Sequence, residues 1–240
     1  MARLIRQNSE FEPFMKKIFK ALMLCAALVS LVSAQEETPQ VAFVRIVNAV
    51  SPGVGNASFI VDGRNLYEDG YKLGQTTGGY GVAVGTRTIQ VEKEGVQKGT
   101  TKLTLGLGET VTLIAFAERL PVEKENDPPK WTIKLLRLKQ ATVERGYGLS
   151  LVSVCGPSET VVELGLLSTG KAVRSAAKRL SITKVDIGNA RGEVVVKSGG
   201  KNLTMVSPDS PGNYVVILYE TAEGETEALS FYDPKFVVAG

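Results

Sequence analysis

Residues Val41–Asp62 read VAFVRIVNAVSPGVGNASFIVD. Ala42, Val44 and Ile46 alternate with Phe43, Arg45 and Val47, a two-residue period that belongs to a strand and not to a helix. Asn48 and the cluster Ser51-Pro52-Gly53 break the pattern, since these residues favour turns over ladder pairing. A second strand is predicted over Ala57–Val61, closed by a tight turn at Asp62-Gly63. The unit returns in degenerate form from Gly148 as GLSLVSVCGPSETVVELGLLSTG. Leu149–Val154 then matches Ala42–Val47, and Ser168-Thr169-Gly170 stands in the place of Val61-Asp62-Gly63.

Outward from this unit the same texture continues. Thr86–Lys93 (TRTIQVEK) alternates, glycines punctuate the chain at Gly95, Gly106 and Gly108, and Thr110–Ala117 is the most apolar strand. Asn213–Glu220 repeats that apolar strand, and both copies end in glutamate, Glu118 and Glu220. Short strands spaced by about 8–12 residues with glycine turns indicate a sandwich or barrel. The predicted fold is therefore all-β, with two tandem small antiparallel β-sandwiches of the Ig-like or jelly-roll-like kind. The first is assigned to 41–118 and the second to 147–236. Residues 119–146 form the linker region, with Pro121, Pro128 and Pro129 favouring an extended spacer and Trp131–Lys139 a bridging strand. The basic stretch Lys171–Lys184 is read as loop and strand, because its counterpart in the first copy has no helical period.

The N-terminus has a different character. Met15–Lys20 is basic, Ala21–Val32 is an apolar run, and Val32-Ser33-Ala34 suits cleavage after small residues, so 1–34 reads as a secretory signal peptide with Met15 as its start. Residues 35–40 form a flexible leader. The apolar run is too short for a permanent membrane span. Leu22-Met23-Leu24 lacks the small residues a lipoprotein site at Cys25 needs. The expected location is periplasmic or secreted. Of 28 basic and 25 acidic residues, the segment takes away 5 and 2, leaving 23 of each and no net charge. The electrostatic footprint of a nucleic-acid binder is absent from that balance. One cysteine, Cys155, remains beyond Cys25, so no internal disulfide is expected; its apolar surroundings suit a small buried hydrophobe.

Chemistry is sparse. The chain has no histidine, which removes Ser-His-Asp and Cys-His catalysis and histidine metal sites. A lone cysteine removes thiolate zinc sites. Carboxylates at Glu68-Asp69, at Glu92 and Glu94, and at Glu223, Glu225 and Glu227 flank glycine turns, where solvated roles are the rule. No catalytic residue, metal or cofactor is expected. Two groups are candidates for a binding surface. Tyr67, Tyr71 and Tyr80 with Trp131 have apolar faces and polar tips suited to sugars or proteins, or else they cover the open ends of a small sandwich. Arg174, Lys178 and Arg179, within a run that also holds Lys171 and Lys184, are able to meet an acidic partner, or else form a solvated face.

The motif Phe43-Val44-Arg45-Ile46-Val47-Asn48-Ala49, followed by Val61-Asp62-Gly63, resembles the opening of a widespread secreted β-sandwich family of unknown function. The layout of signal peptide, this strand and two small sandwiches is also similar to the periplasmic accessory proteins of alginate O-acetylation. The resemblance implies a non-catalytic adaptor in exopolysaccharide O-acetylation. Its partners would be envelope proteins such as polysaccharide O-acetyltransferase components, with polysaccharide itself as a further candidate. The alternative is a carbohydrate-binding or cell-surface structural module. Within the motif, Arg45 and Asn48 are expected to serve packing and turn formation.

Overall fold

In a computed structural model of the protein, residues 40–121, 128–139, 143, 146–187 and 192–234 are described. The signal peptide expected over 1–34 and residues 35–39 of the leader lie outside the described residues, as do parts of the linker region. Every element among the described residues is a strand.

The opening motif forms β1 (Val41–Ala49) and the strand after its turn β2 (Val54–Val61). Asp62 and Gly63 both take positive φ, 48° and 82°, the geometry of a two-residue hairpin turn that suits the sheet's twist. The turn returns the chain as β3 (Arg64–Asn65). Asp62 also fastens the neighbouring strand: its Oδ1 accepts from the Thr88 N–H at 2.8 Å, and its Oδ2 pairs with Arg87 at 3.1 Å. The Thr88 bond and the Arg87 guanidinium hold its carboxyl below the ordinary value. Then follow β4 (Tyr80–Ala83), β5 (Gly85–Glu94), β6 (Val96–Leu105), β7 (Thr110–Arg119) and β8 (Trp131–Leu138). These eight form one sheet in the order β3-β2-β5-β6-β8-β7-β1-β4. The bridging strand of the linker region is thus β8, hydrogen-bonded along β7 from Arg119–Trp131 to Thr112–Leu138.

The sheet folds on itself. Ala57, Phe59, Ile89, Val91 and Leu103 from one limb share a buried cluster with Val44, Ile46, Leu113 and Ile133 from the other. The limbs join at one parallel pair, Gln97 with Thr132. There Gly99 is required: a Cβ on it would lie 2.5 Å from the Ile133 carbonyl oxygen and 2.9 Å from Ile133 Cγ2. Gly99→Ala should destabilise the protein by about 1–3 kcal/mol, the cost of overpacking against backbone that cannot swing aside, read as a lower thermal midpoint with an unchanged circular dichroism spectrum.

The second half contains β9 (Tyr147–Ser153), β10 (Glu159–Leu166), β11 (Lys171–Lys178), β12 (Ile182–Val185), β13 (Val194–Ser198), β14 (Lys201–Val206), β15 (Gly212–Glu220) and β16 (Thr226–Tyr232). They make two four-stranded sheets, β11-β10-β13-β14 and β12-β9-β15-β16. This is the strand order of the first half, element for element. β14 and β16 are linked through side chains: Lys201 reaches Glu227 of β16 at 2.7 Å and Glu225, just before that strand, at 3.2 Å. The basic stretch Lys171–Lys184 is strand and turn: β11, a turn over 179–181, then β12.

Two features differ from the sequence expectation. The sandwiches are not wholly antiparallel: β1 runs parallel to β7, and β9 parallel to β15. A first strand placed beside the last apolar strand of its half arrives there after an even number of reversals. The match of Glu118 with Glu220 is also out of register. It sets Ile114 on Val216, yet Ile114 belongs to the cluster between the halves and Val216 to the core of the second. A one-residue slip exchanges the two faces of a strand.

The outer face of β1, β7 and β8 is not solvated. Val47, Ala49, Ile114, Phe116 and Leu138 pack against Val152, Val154, Val215, Ile217, Tyr219 and Leu229 of the second half. Within this junction Arg45 and Asp233 form a buried ion pair at 2.5 Å, with side chains 3% and 0% exposed. Thr112 donates to the same carboxylate at 3.4 Å, and Arg45 lies 5.5 Å from the ring centre of Phe231. Burial lowers the guanidinium pKa and raises the carboxyl pKa, and the mutual attraction opposes both shifts. Residues 40–234 thus fall in a single compact unit.

Candidate functional site

Asn48 positions the first candidate group. Its Nδ2 donates to the Tyr71 carbonyl at 2.8 Å, its Oδ1 accepts from the Val50 N–H at 3.0 Å, and its backbone bonds Gly74 and Gln75. The connection after β3 is thereby folded against the sandwich. Tyr71 stacks on the fully buried Phe59, with ring centres 4.6 Å apart and planes 14° from parallel. Tyr67 meets Tyr71 edge-on at 5.8 Å. Tyr80, on β4, packs against the same core. The structure therefore gathers the three tyrosines, but Tyr71 and Tyr80 close the end of the core, and Tyr67 alone is mostly exposed, at 51%. The Tyr67 hydroxyl is engaged by Asp69, which raises its pKa, and burial beside the other two rings raises that of Tyr71.

The basic group divides. Arg174 and Lys178 lie exposed on β11, and in the register of the sheet they face Glu163 and Glu159 of β10. Opposite charges across a strand pair offset one another, so this face is not a bare basic patch. Arg174 borders a shallow depression of about 330 Å³ with Glu163 and Lys197. Arg179 turns away from them. Its Nε donates to the Cys155 carbonyl at 2.9 Å and its Nη2 pairs with Glu118 of β7 at 2.5 Å. The following residue, Leu180, has φ 56°, a left-handed conformation that a bulky side chain adopts only at a cost. The bond from the Leu180 N–H to the Ser153 carbonyl, at 2.8 Å, holds it there.

Arg179 thus joins Trp131, which the sequence placed with the tyrosines. Both line a groove of about 580 Å³ between the ends of β7, β8 and β15. Glu118, Arg119, Glu220 and Glu223 complete its polar lining, and Ala117, Pro129, Val154 and Ala222 its apolar part. Gly156 also lines the groove, and a Cβ there would stand 3.3 Å from a Glu220 carboxylate oxygen. No described residue hydrogen-bonds the carboxylates of Glu220 and Glu223, the Arg119 guanidinium or the Trp131 indole N–H. Glu118, Arg119, Glu220 and Glu223 were not among the candidate binding residues of the sequence, because their convergence depends on the junction. Cys155, beside the groove, is buried, and desolvation raises its thiol pKa, which disfavours the nucleophilic thiolate.

The groove offers one aromatic face, donors, acceptors and a single internal ion pair. Such a set has the chemistry to stack on and hydrogen-bond a ligand. Neither a protein-family model nor a curated protein matches this chain.

Proposed function

We propose that this protein is a non-catalytic adaptor of the bacterial cell envelope, secreted to the periplasm, that serves exopolysaccharide O-acetylation. The observation that carries the reading is the junction. Two halves of identical strand order are joined by a third apolar cluster and a buried ion pair, so that surfaces of both are presented in one fixed arrangement. A body of this kind suits the holding of partners in register more than the making of bonds. The opening motif and its resemblance to accessory proteins of alginate O-acetylation support the assignment, as does the lack of histidine in the chain. The test is affinity capture from envelope extract with the mature protein as bait. Recovery of a polysaccharide O-acetyltransferase component is expected, and its repeated absence under conditions that preserve envelope complexes refutes the adaptor.

A second reading, a carbohydrate-binding module, is favoured by one observation: Trp131 and Arg179 share the groove with Glu220 and Glu223, whose carboxylates are hydrogen-bonded by none of the described residues.

A further inference from the structure

We propose that the groove between the halves binds a segment of a neutral polysaccharide, and that it discriminates against polyuronates. The inference rests on the carbohydrate-binding reading and adds the charge class of the ligand.

Sugar rings bury their C–H faces on aromatic rings and satisfy their hydroxyls with charged acceptors and donors. Trp131, half-buried at the groove's edge, supplies the aromatic face, and its indole N–H remains to donate. Glu220 and Glu223 supply acceptors for hydroxyl pairs, and Arg119 a donor fork. The volume, about 580 Å³, falls within the roughly 300–1,000 Å³ of small-ligand sites.

The charge follows from the pairing. Glu118 and Arg179 neutralise each other at 2.5 Å. What remains among the described lining residues is Glu220, Glu223 and Arg119, one net negative charge. A polyuronate brings a carboxylate on every ring and meets that charge at close range, where repulsion is least screened. A neutral hexose chain meets none. The Arg179 anchor does not swing out to receive the anion, since its Nε is engaged by the Cys155 carbonyl and its backbone precedes the left-handed Leu180.

Trp131 is the only tryptophan of the chain, so its fluorescence reports the groove directly. The mature protein is titrated with a neutral β-1,4-glucan hexamer, a neutral mannan hexamer, an alginate hexamer and a decalysine peptide, at low and physiological salt, with calorimetry in parallel. A saturable change with a neutral hexamer is expected, at least about tenfold tighter than with alginate. Glu220→Gln, which keeps the side-chain shape, should weaken the neutral hexamer about tenfold. The exposed change Glu223→Lys should move the preference towards alginate, most at low salt. Tighter binding of alginate by the unaltered protein overturns the charge inference and leaves the carbohydrate reading standing. Binding of no sugar, or of decalysine alone, overturns both.

Discussion

Arg45→Met should cost about 3–5 kcal/mol of stability at neutral pH, because it leaves the Asp233 carboxylate buried without its cation. The pair joins residues 188 positions apart, one on β1 and one just beyond β16, and both side chains are almost wholly removed from water. The loss has a pH signature. Burial already raises the Asp233 pKa, and the Arg45 charge opposes that rise; without Arg45 the folded-state pKa climbs further. A carboxyl whose folded pKa exceeds its unfolded value contributes stability that is present below the unfolded pKa and is lost as pH rises through the folded one. The variant should therefore regain stability relative to the wild type as pH falls towards the carboxylate range. Asp233→Ala should lose a similar amount without that recovery, since the Arg45 guanidinium stays charged throughout. The double replacement Arg45→Met with Asp233→Leu should restore most of the loss, as apolar substitutes for buried pairs commonly do. Urea unfolding of the four proteins from pH 4 to 8 measures all of this. Equal losses at every pH for Arg45→Met would show that the carboxylate finds water in the folded protein.

Phe116→Ala should cost a comparable amount, about 3–5 kcal/mol, by opening a cavity in the cluster between the halves. Phe116 is 3% exposed and lies among Ile114, Val215, Ile217 and Tyr219. Its position makes the expected result more than a lower midpoint. In the wild type, Trp131 fluorescence, which reports β8, and far-ultraviolet circular dichroism, which reports all strands, should unfold together. With the junction hollowed, each half retains its own buried cluster while the surface that couples them is impaired. The two probes should then separate, the mark of lost two-state behaviour. Coincident transitions in the variant would mean that the junction is not what couples the halves.

These expectations depend on features of unequal visibility in the sequence. Alternation over Val41–Val47, the Asp62-Gly63 turn, and the apolar run Thr110–Ala117 all carry local signals, since pleating and turn chemistry act within a few residues. The all-β class is legible from them. The parallel pairing of β1 with β7 is not, because a strand's own residues do not encode which neighbour it meets. That both faces of β1 are covered is not legible either; Val47 and Ala49 look like ordinary strand residues until the second half lies over them.

The candidate surface divides in the same way. The sequence put Tyr67, Tyr71 and Tyr80 together, and they are together, because the segment holding them is short and Asn48 folds it back. It put Trp131 with those tyrosines and Arg179 with Arg174 and Lys178. The structure instead puts Trp131 with Arg179, in a groove whose remaining charges come from the far ends of β7 and β15.

The amino-acid order alone determined that the chain forms twisted strands, where it turns, and that histidine chemistry is closed to it, because each of these depends on local geometry or on composition. Only the tertiary structure decided that Arg45 answers Asp233 and that Trp131 and Arg179 line one groove. Those contacts arise when the apolar faces of two like-ordered halves leave water against each other, and that burial is a property of the assembled surfaces and not of any one stretch of chain.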